Sequence, residues 1–492
     1  MFVSVIVAHV GRRIRLVAIF AIGAALATAL PVSAATPGGK CPKAGRVQTT
    51  KGVKYKCAKS GKSLKWVKVA ITAKNTSATT TSTAAGFKDG EACSKVGDKS
   101  TVSGGYLECR TISGGTNKWF KLSANPPAVS VPTGGSSLDA CKLAEARINK
   151  FQPWNIGFPR GANGVTLLPS TGVSNVQLIA IDFPDAVGTA EELTAADTQI
   201  SEFNKWFDFN SNGSKSFNWQ YPKRWFRMSK SVPDYGFRKG DWPTTLPSVQ
   251  EMVSLADPYV DFSNSDWVFV LLPKSIRLSD PDIPYMSPGI TSAEGPVKNL
   301  FGGADYFYRN NFDLWSLWIH EWGHPMGLAG HSPRSNLSIM DNQNGRSVML
   351  NVWDTFFTGW MGADQLFCMP STQSTLETQL IPLERLQHGM RGVIVPISAT
   401  EALVVESHRA EGWGARLGAG TYGVLVYYID TTKDTDRSGE SQGIVKETWA
   451  QYVAPATTNT NKLLLQGDTV TYKGITVTLT KTGDVDTIKI TK

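Results

Sequence analysis

Three of the chain's six histidines fall within one stretch, "HEWGHPMGLAGH", from His320 to His331. The residues before it, "NNFDLWSLWI", are apolar nearly all round, as a helix buried in a core should be. One stripe breaks that pattern: Asp313, Ser316, His320 and His324, spaced three, four and four. Residues four apart in an α-helix differ by about 40° of rotation, so His320 and His324 share a face. Buried polar groups need partners. A fold that buries this helix must bring either polar groups or a metal ion to that stripe.

The stripe also has a chemical reading. His320 and His324 can offer two imidazoles to one ion. Glu321 lies about 100° round the helix, too far to join them as a ligand but placed to reach a water on the metal. Two ligands and a general base on one turn is the arrangement of HExxH zinc hydrolases. Such a short pattern also arises by chance. The buried helix that carries it, and the residues that follow it, favour the zinc site.

The chain opens on a targeting pattern. Arg12, Arg13 and Arg15 precede an apolar run from Leu16 to Leu30, and "VSA" ends at Ala34. Residues 1–34 read as a cleaved signal peptide, and the protein as secreted, with cell-envelope association a further option. No later segment is long and apolar enough to cross a bilayer, so no stable membrane span is expected after cleavage. Export places the six cysteines in an oxidising compartment.

Four of those cysteines form a repeat. Cys41 and Cys57 are sixteen residues apart, as are Cys93 and Cys109. Trp66 and Trp119 follow the two pairs, Gly45 and Gly97 sit four residues after the first cysteines, and Tyr55 and Tyr106 precede the second ones. We read two small β modules, at 35–71 and 86–122, each of a few strands closed by one disulfide because its core is too small alone. Residues 72–85 and 123–137 have linker composition. From Lys40 to Leu122 there are 17 Lys and Arg against 4 acids, while the whole chain is only +9. Such basic modules, each with a tryptophan, suit docking on an anionic cell-envelope polymer. The plainer alternative is a solvated basic surface around a structural tryptophan. Nucleic acid is not an expected partner outside the cell. The chain's 15 tryptophans suit large buried rings or sugar-binding surfaces without deciding between them.

Residues 138–370 mix strands and helices. "NVQLIAIDFPD" and "SDWVFVLLP" read as buried strands, "TAEELTAADTQISEFNKWFDF" as an amphipathic helix, and "NLFGGADYFY" as a strand edging a cleft. Residues 371–492 hold strands only, among them "GVIVPIS", "ALVVES" and "YGVLVYYID", and read as a β-sandwich. The expectation is thus a multidomain α+β chain: two disulfide-bearing β modules, an α/β catalytic domain and a β-sandwich. Cys141 and Cys368 remain. They either clasp the ends of the catalytic domain, or Cys141 sits on the zinc as a latency switch. "DFNSNG" places Asp208, Asn210 and Asn212 at alternate positions, as in the opening of a calcium loop, but the twelfth position is Trp219 and not glutamate. A turn after the helix is the favoured reading there, with Ca2+ the lesser one. "DTDRSGE" from Asp434 is similarly incomplete.

The pattern "HEWGH", "GLAGHS", "SIMD" and "NVWDTFFTGWMG", with "DFPD" and "GVLVYYID", resembles the metzincin-like secreted bacterial zinc metalloproteases of the immune inhibitor A type. The likeness runs from Cys141 to Lys492. It implies a secreted zinc endopeptidase acting on protein or peptide substrates, with a β-sandwich behind its catalytic domain. By that resemblance His320 and His324 are Zn2+ ligands and Glu321 the general base. Gly327 makes the sharp turn after the helix, and Met340 is the methionine of the turn beneath the metal. Three features depart from the family. Pro325 directly follows the second ligand and disfavours helical geometry there. Asp341 and Asn342, not a tyrosine, follow Met340, so no oxyanion residue can be named. The family spacing puts the third ligand at Gly330, which has no side chain; His331, one residue later, is the expected ligand instead. A rival reading is an envelope-binding exported protein whose protease-like domain is inactive. The intact Glu321 argues against it.

Overall fold

The computed structural model describes residues 47–50, 53–60, 63–68, 87–147, 156–162, 166–236, 242–276, 283–285, 289–302, 313–331, 335–341, 347–418, 420–433, 449–453 and 462–492. The signal segment 1–34, Cys41, the linker 72–85 and the "DTDRSGE" segment lie outside these described residues. The chain divides into two compact units, 1–80 and 81–492.

The first unit contains an antiparallel three-stranded sheet of β1 (Val47–Thr50), β2 (Val53–Ser60) and β3 (Ser63–Lys68). Cys57 lies directly across from Trp66, and both are buried. Cys57 is disulfide-bonded. The second unit begins with the same device, β4 (Lys99–Val102), β5 (Gly105–Thr111) and β6 (Asn117–Ser123), in which Cys109 faces Trp119. Cys93 and Cys109 form a disulfide with S–S 2.01 Å. The repeated Cys–Trp spacing is therefore one three-stranded motif made twice, with a buried cysteine across from a buried tryptophan in each copy. That burial favours a structural role for Trp66 and Trp119 over an exposed, ligand-stacking one.

The central layer is a six-stranded sheet. Its members are β7 (Gly172–Asp182), β8 (Lys215–Gln220), β9 (Trp225–Arg227), β10 (Trp267–Leu271), β11 (Ile283–Tyr285) and β14 (Leu300–Gly302). A short hairpin, β12 (Thr291–Ser292) and β13 (Gly295–Pro296), intervenes in the chain. The order is β11-β14-β10-β7-β8, with β9 continuing beside β7; all pairings are parallel except that of β11 with β14. The expected cleft-edging strand, β14, is second from the edge, and the antiparallel β11 covers it. Strands buried on both faces read as continuous apolar runs, which is why "LIAID" and "WVFVL" announce themselves.

Helix α1 (Ala190–Asn210) starts at a reciprocal cap between Thr189 and Glu192. It lays Phe203, Trp206 and Phe207 in the same core as the sheet. Helix α2 (Trp242–Ala256) adds Val249, Met252 and Val253 to that core. Helix α3 (Leu314–Gly323), which carries the first histidine, is buried from Leu314 through His320. Its Trp318 and Trp322 pack among Phe203, Phe217, Trp219 and Phe269. Each such fully buried apolar side chain contributes about 1.5–3 kcal/mol. Together these contacts hold α3 as a rigid support.

After α4 (Val352–Phe357) come two sheets. One has five strands, β15 (Leu366–Cys368), β17 (Gly392–Pro396), β18 (Glu401–Arg409), β19 (Tyr422–Asp430) and β20 (Ala450–Tyr452). The other has four, β16 (Thr375–Leu380), β21 (Thr469–Tyr472), β22 (Ile475–Lys481) and β23 (Asp486–Thr491). Leu403, Val405, Val424 and Val426 share a core with Val477, Leu479, Ile488 and Ile490 of the four-stranded sheet. The alternate residues, Ala402, Val404, Leu425 and Tyr427, pack with Trp353 and Phe356 of α4. The five-stranded sheet is thus buried on both faces, a sandwich whose outer side serves as the floor for the domain before it. Its first strand begins at Leu366, ahead of the boundary expected at 370.

Cys141 and Cys368 are bonded across 227 residues, with both side chains buried in the core beneath α4. Of the two readings of Cys141, the structure shows the clasp. No helix among the described residues is long and apolar enough to cross a membrane.

Candidate metal centre

The polar stripe on α3 finds its partners in two ways. At its start, the Asp313 carboxylate pairs with the Arg416 guanidinium, and Ser316 Oγ donates to the Asp313 carbonyl at 2.8 Å. Further along, His320 Nδ1 lies 2.7 Å from the Ile339 carbonyl and His324 Nδ1 lies 3.0 Å from the Leu328 carbonyl. A carbonyl only accepts, so each ring carries its proton on Nδ1. The two Nε2 atoms face one another 3.2 Å apart. Two neutral imidazoles so arranged bring lone pairs together, and a cation between them relieves that repulsion. Fixing Nδ1 on a carbonyl is also how metal-binding histidines are usually oriented.

Pro325 ends α3 at Gly323, yet His324 keeps helical angles, φ −59° and ψ −55°. The shared face of the two histidines therefore survives. The chain then turns at Gly327, φ +101°, a region that glycine enters freely. The displaced third histidine is accommodated by two successive left-handed residues, Gly330 at φ +72° and His331 at φ +59°. These bring the His331 ring back to the pair, its centroid 5.1 Å from His320 and 5.5 Å from His324. One ligating atom from each of the three rings can be chosen so that all lie within 4.8 Å of one another. A tetrahedral zinc asks for about 3.3 Å between ligand nitrogens. The His320–His324 pair meets that value and His331 approaches it more loosely. The donor set fits zinc: three neutral nitrogen ligands, with a fourth position left for water or substrate.

Met340 is fully buried beneath the helix end. A Cβ placed on Gly323 would come within 2.5 Å of its Sδ, and one on Gly330 within 2.9 Å of His324 Cε1. Methionine, turn and ligand are in close contact, with no space for an extra carbon. Asp341 turns its carboxylate into its own loop, accepting from Asn336 N at 2.6 Å and Ser335 Oγ at 3.2 Å. Among the described residues, the histidine triad is the group of three His, Cys, Asp or Glu side chains arranged to hold an ion. Glu321 is half-buried, whereas Ile319, His320 and Trp322 around it are buried.

The "DFNSNG" segment is the end of α1. Gly213 N donates to the Asp208 carbonyl at 2.8 Å, and Asn210 and Asn212 donate their side-chain amides to the carbonyls of Trp206 and Trp360. These contacts support the turn reading.

Sequence reasoning missed two buried ionic features. Lys215 is buried, donates to Ser174 Oγ at 2.6 Å and lies 5.6 Å from the Trp322 ring; burial pulls its pKa down to about 8. His408 is buried between the carboxylates of Glu384 and Glu406, at 2.7 and 2.9 Å. The available signal was Glu406 and His408 at i and i+2, on one face of the strand, directly after the apolar run "ALVV". His388, by contrast, stacks on Phe209 with centroids 5.0 Å apart and pairs with Gln365.

No protein-family model matches the chain, and no curated protein matches it.

Proposed function

We propose that the chain is an exported, zinc-dependent endopeptidase of metzincin-like type. The observation that carries this reading is the convergence of His320, His324 and His331 beside Glu321 at the end of one buried helix. The sequence resemblance to immune inhibitor A-type proteases supports it.

His320, His324 and His331 would hold the ion. Bound zinc supplies Lewis acidity and lowers the pKa of water to about 7. The carbonyls of Ile339 and Leu328 keep the first two rings in the tautomer that presents Nε2. Glu321 takes the proton of the attacking water and passes it to the leaving amine. Its half-buried position suits a carboxylate that must meet substrate and yet be shielded from bulk solvent. Met340 and Gly323 fix the helix end from below.

The test is hydrolysis of casein or gelatin by purified protein, with and without a chelator, alongside metal analysis. Chelator-sensitive cleavage with one bound zinc per chain is expected. Bound zinc without peptide cleavage would overturn the assignment in favour of a non-catalytic binding protein.

A further inference from the structure

The two N-terminal modules are copies that have diverged, and the divergence points to what the first one does. Their sheets share the same register, Cys57 across from Trp66 and Cys109 across from Trp119. Positions can therefore be matched one to one. On the sheet face away from Cys57 and Cys109, the second copy carries Glu108, Arg110, Lys118 and Phe120, and the first copy carries Lys56, Ala58, Lys65 and Val67 in the same places.

In the second copy that face is a docking face for the sandwich. Arg110 is fully buried and donates to Thr482 Oγ1 and to the Gly483 carbonyl at 3.3 and 3.1 Å. Its neighbours Phe120 and Leu122 are only 9% and 3% exposed. Thr111 hydrogen-bonds Tyr422 Oη, and Ser123 N donates to Asp484 at 2.8 Å. The first copy has lost this equipment. Alanine replaces the buried arginine, lysine replaces the glutamate that pairs with it, and Val67, at the place of Phe120, is 49% exposed. Lys56 is exposed and Lys65 half-buried.

The charge has segregated in the same direction. Residues 35–71 hold ten Lys and Arg and no acid, whereas residues 86–122 hold six against four. A face that lacks the buried arginine, its glutamate partner and the packed aromatic ring, and that carries lysine with no acid, is suited to a polyanion. Trp66 is buried, so its ring is not offered for base stacking, and a single exposed valine is too little for insertion into a bilayer.

We infer that the Lys56, Lys65 and Val67 face of the first module binds a phosphate-bearing polymer of the cell envelope, while the second module serves as a structural part of the body. This rests on the export reading but not on the protease reading. The experiment measures binding of the full chain to immobilised poly(glycerol phosphate), with anionic lipid vesicles and duplex DNA as competitors. Lys56→Glu with Lys65→Glu should weaken polymer binding at least about tenfold. Lys121→Glu, exposed on the second module, should change it less than about twofold. The neutral pair Lys56→Gln with Lys65→Gln should fall between, and casein hydrolysis should be the same in all variants. Equal loss from the control substitution, no binding by wild type, or competition by vesicles or DNA below the polymer's own concentration would each overturn the inference.

Discussion

His331 donates its backbone N–H to the Met340 carbonyl at 2.5 Å. The residue bearing the third imidazole is thereby tied to the methionine that lies under Gly323. Position on this loop is set by backbone and not by ring packing alone, so the geometry of the triad should be sensitive to the glycine just before it.

Gly330→Ala should lower zinc affinity by at least about tenfold, since the added Cβ would meet His324 Cε1 at 2.9 Å and the Met340 carbonyl at 3.1 Å. Gly359→Ala is the control. Gly359 has a similar φ of +81° but nothing within 4 Å, so it carries the backbone strain without the crowding. Competition with a chromophoric chelator reads both. Equal affinities in the two variants would show that Gly330 does not hold the ligand. By the same assay His331→Ala should lose most zinc affinity and His388→Ala should lose none.

Glu321→Gln should abolish hydrolysis while zinc stoichiometry stays at the wild-type value, because the residue is proposed as base and not as ligand. Casein turnover and metal analysis on the same preparation decide it. Activity above about a tenth of wild type would remove Glu321 from the role, since general-base loss typically costs 10²–10⁴-fold.

Much of this arrangement was legible because it follows from periodicity. β7, β10 and the strands of the sandwich are continuous apolar runs or clean alternations, α1 is an amphipathic helix, and α3 showed both its burial and its polar stripe. His331 could be reached through the sequence resemblance once Gly330 was seen to lack a side chain. The edge strand β11 was not legible: "IPY" is three residues with a proline, below any periodic signal. The docking of the second module was hidden for another reason. Thr111 and Tyr422 are 311 residues apart, and neither looks unusual alone. Of the two carboxylate partners of His408, Glu406 lies two residues before it on the same strand, whereas Glu384 comes from a loop outside that strand, a pairing that no local pattern encodes.

Replacing Cys141 and Cys368 together by alanine should lower Tm without altering zinc content. The bond closes a loop of 227 residues, for which chain entropy alone gives about 5 kcal/mol in the unfolded state. Removing only Cys141 discriminates the clasp from a latency role. Loss of thermal stability with unchanged specific activity is the outcome expected of a clasp, and a rise in specific activity would contradict it.

The pH dependence of stability should carry the signature of His408. Its Nδ1 lies 2.7 Å from Glu384 and its Nε2 2.9 Å from Glu406, with all three side chains buried. An imidazole donating from both nitrogens is an imidazolium. Burial works against that charge, but the Glu384 and Glu406 carboxylates more than offset it, and the pKa is pushed up to about 10 from the ordinary 6.5. The folded value lies above the unfolded one. The stabilisation is therefore fully present below about pH 6.5 and is lost as pH rises through about 10. Replacing His408 by Gln leaves two buried carboxylates without their cation, a loss of about 3–5 kcal/mol at neutral pH or below. The Tm gap between wild type and His408→Gln should be widest at pH 6 and narrow steadily toward pH 10. A gap that is flat, or that grows with pH, would mean that His408 is neutral in the folded protein and that Glu384 or Glu406 holds the proton instead.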